Sequence, residues 1–270
     1  MSDLSLISGT AMPGNKILFT TTAGAAATNG VLKKVSAGWE WRAPDNPGMA
    51  TLTFSKAGAV GRVQMFVLTP WQNGESAELG GYKIGKYSRQ PFRGLRSYKA
   101  PTGFIELTDE LVEQKISPHF TLGQFRCKQQ PGFRPTYLLV HPGMLLKLEH
   151  LLAAANKIGW KANTFTVMSG FRTPYYNRAI GNTTTSSRHL FGGAADIFID
   201  ADRNGVMDDL NSDGKIDKLD AIALAKVAED LAKDNPATWP AGGLAPYSAN
   251  SAHGPFVHVD VRGYKARWSR

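Results

Sequence analysis

The sequence predicts an α+β protein. It reads as a sandwich-like β module followed by a domain in which a small antiparallel sheet carries flanking helices. Three observations predict it. Short alternating runs punctuated by Pro and Gly fill the first third of the chain. Apolar residues at helical spacing follow Pro142 and again follow Asp220. Between and after these helical stretches, alternation returns over 164–168, 194–200 and 256–261.

In chain order, Trp39 and Trp41 alternate with polar neighbours, and Ala43-Pro44-Asp45-Asn46-Pro47-Gly48 makes a turn. Two more strand-like runs, 49–54 and 62–68, are separated by Gly58 and Gly61. Such strands argue for a small immunoglobulin-like antiparallel sandwich. Thr121-Leu122-Gly123-Gln124 has the form of a capping box and predicts a short helix. Pro142, at a first-turn position, opens a stronger helix through about Ile158, with Leu145, Leu148, Leu152 and Ala155 on one line. Lys147 and His150 fall off that line and are expected at the surface. His119 and His141 sit at segment starts and are expected to be structural. The expected organisation is a β-rich module over 1–80, a basic connector over 81–115 and an α+β domain over 116–270, with an insertion at 200–220.

The 270 residues are 42% hydrophobic, enough for one large domain or two modest ones. No run approaches the roughly 18 apolar residues of a membrane-spanning helix. The single cysteine, Cys127, excludes an intramolecular disulfide and any cysteine-built metal site; it reads as a small buried hydrophobe. The net charge of +9 favours acidic partners. Lys83, Lys86, Arg89, Arg93, Arg96 and Lys99 fall in one stretch without an acidic residue, interleaved with Tyr82, Tyr87, Phe92 and Tyr98. That stretch is either an anion-binding strip or a solvated linker. No nucleic-acid-binding signature accompanies it, so nucleic acid is not an expected partner.

A catalytic zinc site takes three nitrogen or oxygen ligands and keeps one position open. Ser187-Arg188-His189-Leu190-Phe191-Gly192-Gly193-Ala194-Ala195-Asp196 supplies a His and an Asp seven residues apart. Its two glycines allow a tight bend that returns a loop histidine beside a strand aspartate. His258, on a separate strand, completes a candidate set.

The pattern Ser-x-His-x-x-Gly-x-Ala-x-Asp, filled by Ser187, His189, Gly192, Ala194 and Asp196 and followed by a strand histidine, resembles the D-Ala-D-Ala carboxypeptidase family of zinc peptidoglycan peptidases, which shares its fold with the hedgehog signalling domain. Phe256-Val257-His258-Val259-Asp260, Ser117-Pro118-His119-Phe120 and Arg267-Trp268 are similar to its murein endopeptidase-like branch. The resemblance runs from about Ser117 to Trp268. It implies zinc held by His189, Asp196 and His258, and a D,D- or L,D-carboxypeptidase or endopeptidase acting on peptidoglycan. It also implies that Arg172, in a Ser-Gly-aromatic-Arg turn, faces the substrate together with Ser187. Zinc lowers the pKa of its water to about 7, so hydrolysis runs at neutral pH. Arg172 would stabilise the oxyanion, hold a substrate carboxylate, or merely tie the turn to Asp196 or Asp200. The substrate implies a periplasmic or extracellular location, although Met1 to Gly14 lacks the basic start and apolar run of a signal peptide.

The chain departs from the family at the general base. Many members carry a His two residues, or a Glu three residues, before the last ligand, where this chain has Phe256 and Pro255. Asp260 and His253 remain, and Asp260 is the expected base, with a role in orienting a ligand histidine as its alternative. The missing base keeps a second reading open, a zinc-stabilised cell-wall binding module with weak turnover.

The insertion carries a second metal pattern. Asp209, Asn211, Asp213, Gly214, Ile216, Asp217 and Asp220 fall at the positions of a calcium loop whose final Asp resembles the dockerin variant. A partial copy precedes it at Asp200, Asp202, Asn204, Gly205 and Asp208. Calcium is expected in the second loop ahead of the first, which shares its end with the second so that both cannot be independent EF-hands, and would stiffen the neighbouring site. The alternative is a solvated acidic loop held by Asx turns. A helix is expected to follow, with Ile222, Ala225, Val227 and Leu231 apolar.

Overall fold

The structure is a computed structural model that describes residues 5–270. Met1 to Leu4, the start of the stretch read for an export signal, lie outside the described residues. The chain is mixed α+β, with several small sheets and few helices.

The first strands are β1 (Leu6–Ala11), β2 (Lys16–Phe19), β3 (Gly24–Ala27), β4 (Val31–Val35), β5 (Gly38–Arg42), β6 (Gly48–Lys56) and β7 (Ala59–Val67). They form a four-stranded sheet in the order β1-β7-β6-β3 and a three-stranded sheet in the order β2-β5-β4. Ala57 and Gly58, at the tip of the β6–β7 hairpin, have φ of 49° and 82°. Two successive left-handed residues match the right-handed twist of the strands they join. Trp41, wholly buried, packs with Ala50, Leu52, Met65 and Val67, flanked by Ile17, Phe19 and Leu32, so both sheets feed one small core.

Strand alternation sends β7 two ways. Met65 and Val67 enter that small core, whereas Phe66 points to the other face and joins the main core. The main core continues through the stretch expected as a connector. β8 (Thr69–Pro70), β9 (Glu78–Leu79), β10 (Tyr82–Lys83), β11 (Gly103–Leu107) and β12 (Thr136–Leu138) run through this part of the chain. Tyr82, Ile84, Tyr87 and Phe104 are buried in the main core, and Tyr98 is buried as well. The basic stretch is therefore no solvated linker. Its aromatic residues anchor it while its cations stay outside.

The rest of the chain contains α1 (Pro142–Lys157), β13 (Thr166–Ser169), α2 (Pro174–Ala179), β14 (Ala194–Phe198), α3 (Lys218–Asp234), β15 (Gly243–Tyr247), β16 (Phe256–Asp260) and β17 (Ala266–Arg267). Its five-stranded sheet has the order β13-β14-β16-β15-β17, and α3 packs on β15, β16 and α1. The capping box at Thr121 and Gln124 starts a single 3-10 turn. His141 caps α1, accepting from Gly143 N. His119 is held by Glu149, with Nδ1 2.7 Å from Oε2.

One surface expectation fails here. Lys147 is buried, because α1 turns that side onto the end of β16, where Nζ donates to the Asp260 carbonyl at 2.7 Å. Ile222 is exposed, since α3 buries Ala221, Leu224, Ala225 and Ala228 instead. β15 was not evident in the sequence because Pro246 lies within it. The proline is tolerated because β17 pairs only with Gly243 and Leu244.

Candidate metal centre and cleft

His189, Asp196 and His258 converge. Asp196 on β14 and His258 on β16 are direct antiparallel partners, so their side chains leave the same face of the sheet. His189 arrives from a 3-10 turn, Arg188–Phe191, which Gly192 ends at φ 64°. A Cβ on Gly192 would lie 2.4 Å from the Leu139 carbonyl oxygen, so this bend requires glycine. Among the described residues, this trio and Asp200, Asp202 and Asp208 are the two groups of three or more metal-capable side chains whose ligand atoms fall within 4.8 Å of one another.

A hydrogen bond behind the ring fixes the His189 tautomer, while the His258 ring stands between two carboxylates. His189 Nδ1 donates to the Gly170 carbonyl at 2.7 Å, which leaves Nε2 as a lone pair facing inward. His258 Nε2 donates to Asp260 Oδ2 at 3.1 Å, turning its Nδ1 inward. His189 Nε2 lies 3.3 Å from both His258 Nδ1 and Asp196 Oδ1, and His258 Nδ1 lies 2.8 Å from the same oxygen. A tetrahedral ion with bonds of about 2.0–2.1 Å separates its ligands by roughly 3.3 Å.

Charge follows burial and contact. Burial lowers the pKa of His189 against the pull of Asp196. Burial also acts to lower His258, but its hydrogen bonds to Asp196 and Asp260 outweigh that and raise it. Burial acts to raise Asp196, yet His189 and His258 hold its carboxyl well below the usual range. Asp260 is likewise held low against its burial, by His258 and Arg262.

Asp260 stands behind His258 and not on the cleft. Its carboxylate is fully buried, accepting from His258, from Gly243 N at 2.7 Å, and from the backbone and guanidinium of Arg262. Both its oxygens meet fixed donors, an arrangement that suits the orienting alternative. His253 lies on the cleft wall, edge-on to Phe256, with Nδ1 donating to the Gly254 carbonyl and Nε2 accepting from Asn250. Arg172 ties Asp196 through Nη2 and Ser169 Oγ through Nε, and it also lines the cleft. Ser187 lines it too.

The cleft encloses about 840 Å³. Lys128, Arg172, Arg188, Arg262 and Arg270 line it, and Asp196 is its one carboxylate among the described residues. Tyr247, Phe256 and Trp268 form an aromatic wall beside His258: Tyr247 stacks on Phe256 at 4.5 Å, and Trp268 Nε1 donates to Tyr247 Oη. Sequence reasoning missed Arg262 and Tyr247. The signal for Arg262 was its position two residues past Asp260, although the strand ends between them.

The acidic insertion folds as two copies nine residues apart. Asp200 accepts from Asn204 N and Gly205 N, and Asp209 accepts from Asp213 N and Gly214 N. Arg203 and Ser212 share a left-handed φ of 61° and 60°. The copies differ in their carboxylates. Asp200, Asp202 and Asp208 converge, with Asn204 Oδ1 turned to Val206 N. Asp209, Asp213, Asp217 and Asp220 form no such group among the described residues, and Asn211 Nδ2 donates to Asp213. Asp217 caps α3, and the buried Asp220 accepts from Leu210, Asn211 and Asp217 amides. The two residues at the end of the second loop therefore serve the helix N-terminus.

Residues 118–217, just over a third of the chain, match the family model described as Peptidase M15. The matched span contains Arg172, His189 and Asp196 and ends inside the insertion, before His253, His258 and Asp260. No curated protein and no solved structure matches the chain. The motif residues in that span lie beside a strand histidine that completes a metal-capable group, and over that span the chain is similar to the peptidase M15 family of zinc-dependent metallopeptidases.

Proposed function

We propose that the protein is a zinc peptidase that hydrolyses peptide bonds in peptidoglycan stem peptides or cross-links, with His189, Asp196 and His258 as the metal ligands. One observation carries this reading. His189 Nε2, its ring proton held by the Gly170 carbonyl, faces His258 Nδ1 at 3.3 Å beside an Asp196 oxygen, with Asp260 behind the His258 ring. Two imidazole nitrogens and a carboxylate oxygen at these separations fit the ligand spacing of a tetrahedral cation. Zinc supplies Lewis acidity and a hydrolytic water at neutral pH.

The chain's own residues do the rest. Asp260 holds the His258 ring in the ligand tautomer, as carboxylates behind metal-binding histidines do. Arg172 fixes the second Asp196 oxygen, and its Nη1, which has no protein partner among the described residues, is available to an oxyanion or a substrate carboxylate. Ser187 contributes a hydroxyl to the same cleft. His253, on the cleft wall, is the side chain that moves the proton once its Nε2 leaves Asn250, and the aromatic wall borders the same cleft. A cleft lined by arginines and a lysine around one committed carboxylate suits a substrate rich in carboxylates, as stem peptides are. Peptidoglycan lies outside the cytoplasmic membrane, so the proposed location is periplasmic or extracellular.

Two finer readings belong with this one. Strand orders β1-β7-β6-β3 and β2-β5-β4 around one core support an immunoglobulin-like N-terminal sandwich. The convergence of Asp200, Asp202 and Asp208 supports calcium in the first loop. The test of function is a digest of purified muropeptides by zinc-replete and chelated protein, read by mass spectrometry. Released D-Ala or divided dimers in the zinc-replete arm alone are expected. Unaltered muropeptides that nonetheless bind would leave the wall-binding module with weak turnover.

A further inference from the structure

Six cations, Lys83, Lys86, Arg89, Arg93, Arg96 and Lys99, lie in one stretch that contains no acid and carries two thirds of the net +9. Five of them are exposed, Lys83 being half-buried. None lies within 4.0 Å of a carboxylate among the described residues. The protein leaves this charge unbalanced on a fixed support. The Tyr87 hydroxyl donates to the Leu190 carbonyl at 2.8 Å, and Arg188 donates to the Ser97 carbonyl, so the stretch is bolted to the turn that carries His189.

It reaches the cleft at two points. Lys86 and Arg178 share a depression with Asn182, Thr183 and Thr184, which also form the lip of the cleft. The Arg93 guanidinium sits 5.1 Å over the Tyr264 ring, which also packs under Arg262 of the cleft wall. The cationic ribbon and the basic cleft are therefore adjoining surfaces.

We propose that this ribbon binds a linear phosphodiester polyanion lacking bases, of the poly(polyol phosphate) type, and so holds the cleft against a surface bearing such polymers. Charge density selects the class. Flexible exposed cations gain most from a polymer that is fully ionised and surrounded by condensed counterions, which binding releases. Arginine forks match phosphate oxygens. Single-stranded nucleic acid is disfavoured because its binders stack bases on open aromatic faces. Here Tyr82, Tyr87 and Tyr98 are buried, and the exposed Phe92 is covered by Arg93. A membrane is disfavoured because the ribbon has no helix beyond one turn and no apolar face to insert.

The proposal goes beyond the hydrolytic reading and is tested without turnover, on the full chain in chelator. Binding of poly(glycerol phosphate) is titrated against salt, beside single-stranded DNA of equal phosphate number and phosphatidylglycerol vesicles. If four cations engage, log K should fall with log salt at a slope of about −3, taking roughly −0.7 per contact. Lys86→Glu, Arg89→Glu, Arg96→Glu and Lys99→Glu together should weaken binding at least about tenfold. Arg89→Lys with Arg96→Lys, which keeps the charge and loses the forks, should weaken it less than the charge reversal does. Should the fourfold variant fail to fold, single changes to Gln at the same positions should each flatten the slope by about 0.7. Wild-type affinity in the charge-reversed protein, a slope shallower than −1, or tighter binding to DNA or to vesicles would each overturn the proposal.

Discussion

Asp260→Asn separates the two roles that a carboxylate next to a ligand histidine can have. The change keeps shape and removes charge. An amide oxygen can still accept from Gly243 N, but the amide NH2 then meets His258 Nε2–H and the Arg262 guanidinium, donor against donor. The ring escapes by moving its proton to Nδ1, the nitrogen that faces Asp196 and His189, and so loses its inward lone pair. Losing such an orienting partner costs about 10- to 100-fold in metal affinity, or about 1.4–2.7 kcal/mol at 1.4 kcal/mol per tenfold. Arg262 also loses its counter-charge, and because its side chain is 20% exposed, water recovers part of that loss. The expected melting point falls by a few degrees. Zinc affinity is measured by competition with a chromophoric chelator, and turnover is measured at limiting and at saturating zinc. The orienting role predicts weaker zinc binding and substantial recovery of kcat when zinc saturates. Unchanged zinc affinity with kcat lost at saturating zinc would refute it and return Asp260 to the role of base.

The remaining predictions probe the parts around that junction. His253→Ala should leave zinc affinity unchanged and lower kcat about 10²- to 10⁴-fold; full activity would remove His253 from the mechanism. Gly243→Ala puts a Cβ 2.3 Å from Asp260 Oδ2 and should reduce stability and zinc affinity together, seen by thermal melting and chelator competition. Burial lowers Lys147 to about 8, below the unfolded value of about 10.4. Between those values the unfolded chain binds more protons, so stability rises with pH by up to about 3 kcal/mol. In Lys147→Met that rise should vanish, measured by denaturation from pH 7 to 10. Adding calcium to chelated protein should raise the melting temperature, and Asp200→Asn with Asp202→Asn should abolish the rise.

Local order in this chain was legible where one segment dictates its own geometry. The Ser187 to Asp196 motif carries its ligands, its bend and the glycine for that bend within ten residues, and the structure brings His189 and Asp196 together. The capping box at Thr121, the proline start of α1 and the hairpin at Gly58 follow from their own sequence as well. What the sequence hid depends on which distant element meets a given face. Lys147 breaks the apolar line of α1, yet the end of β16 receives it. Asp260 looks like a base because it shares a strand face with His258, and only Gly243 from β15 and the returning Arg262 make it a support. The basic stretch looks like a linker because its cations dominate the composition, whereas its tyrosines decide where it lies.

Asp260 explains how so small a site stays rigid without the usual neighbouring base. Lys147 from α1 takes its carbonyl, Gly243 of β15 and Arg262 take its carboxylate, and His258 hangs from the remaining contact. The His258 ring is thus referred to a helix and two strands of the core, and the His189 ring is referred to the Gly170 carbonyl. Rotation of either ring breaks a buried hydrogen bond, at a cost of about 1–3 kcal/mol. In the proposed mechanism the groups that meet substrate are His253, on the cleft wall, and the free edge of Arg172, whose other nitrogen is tied to Asp196. On that reading metal binding and proton transfer fall to different side chains, and substitution of His253 should leave zinc affinity measurable.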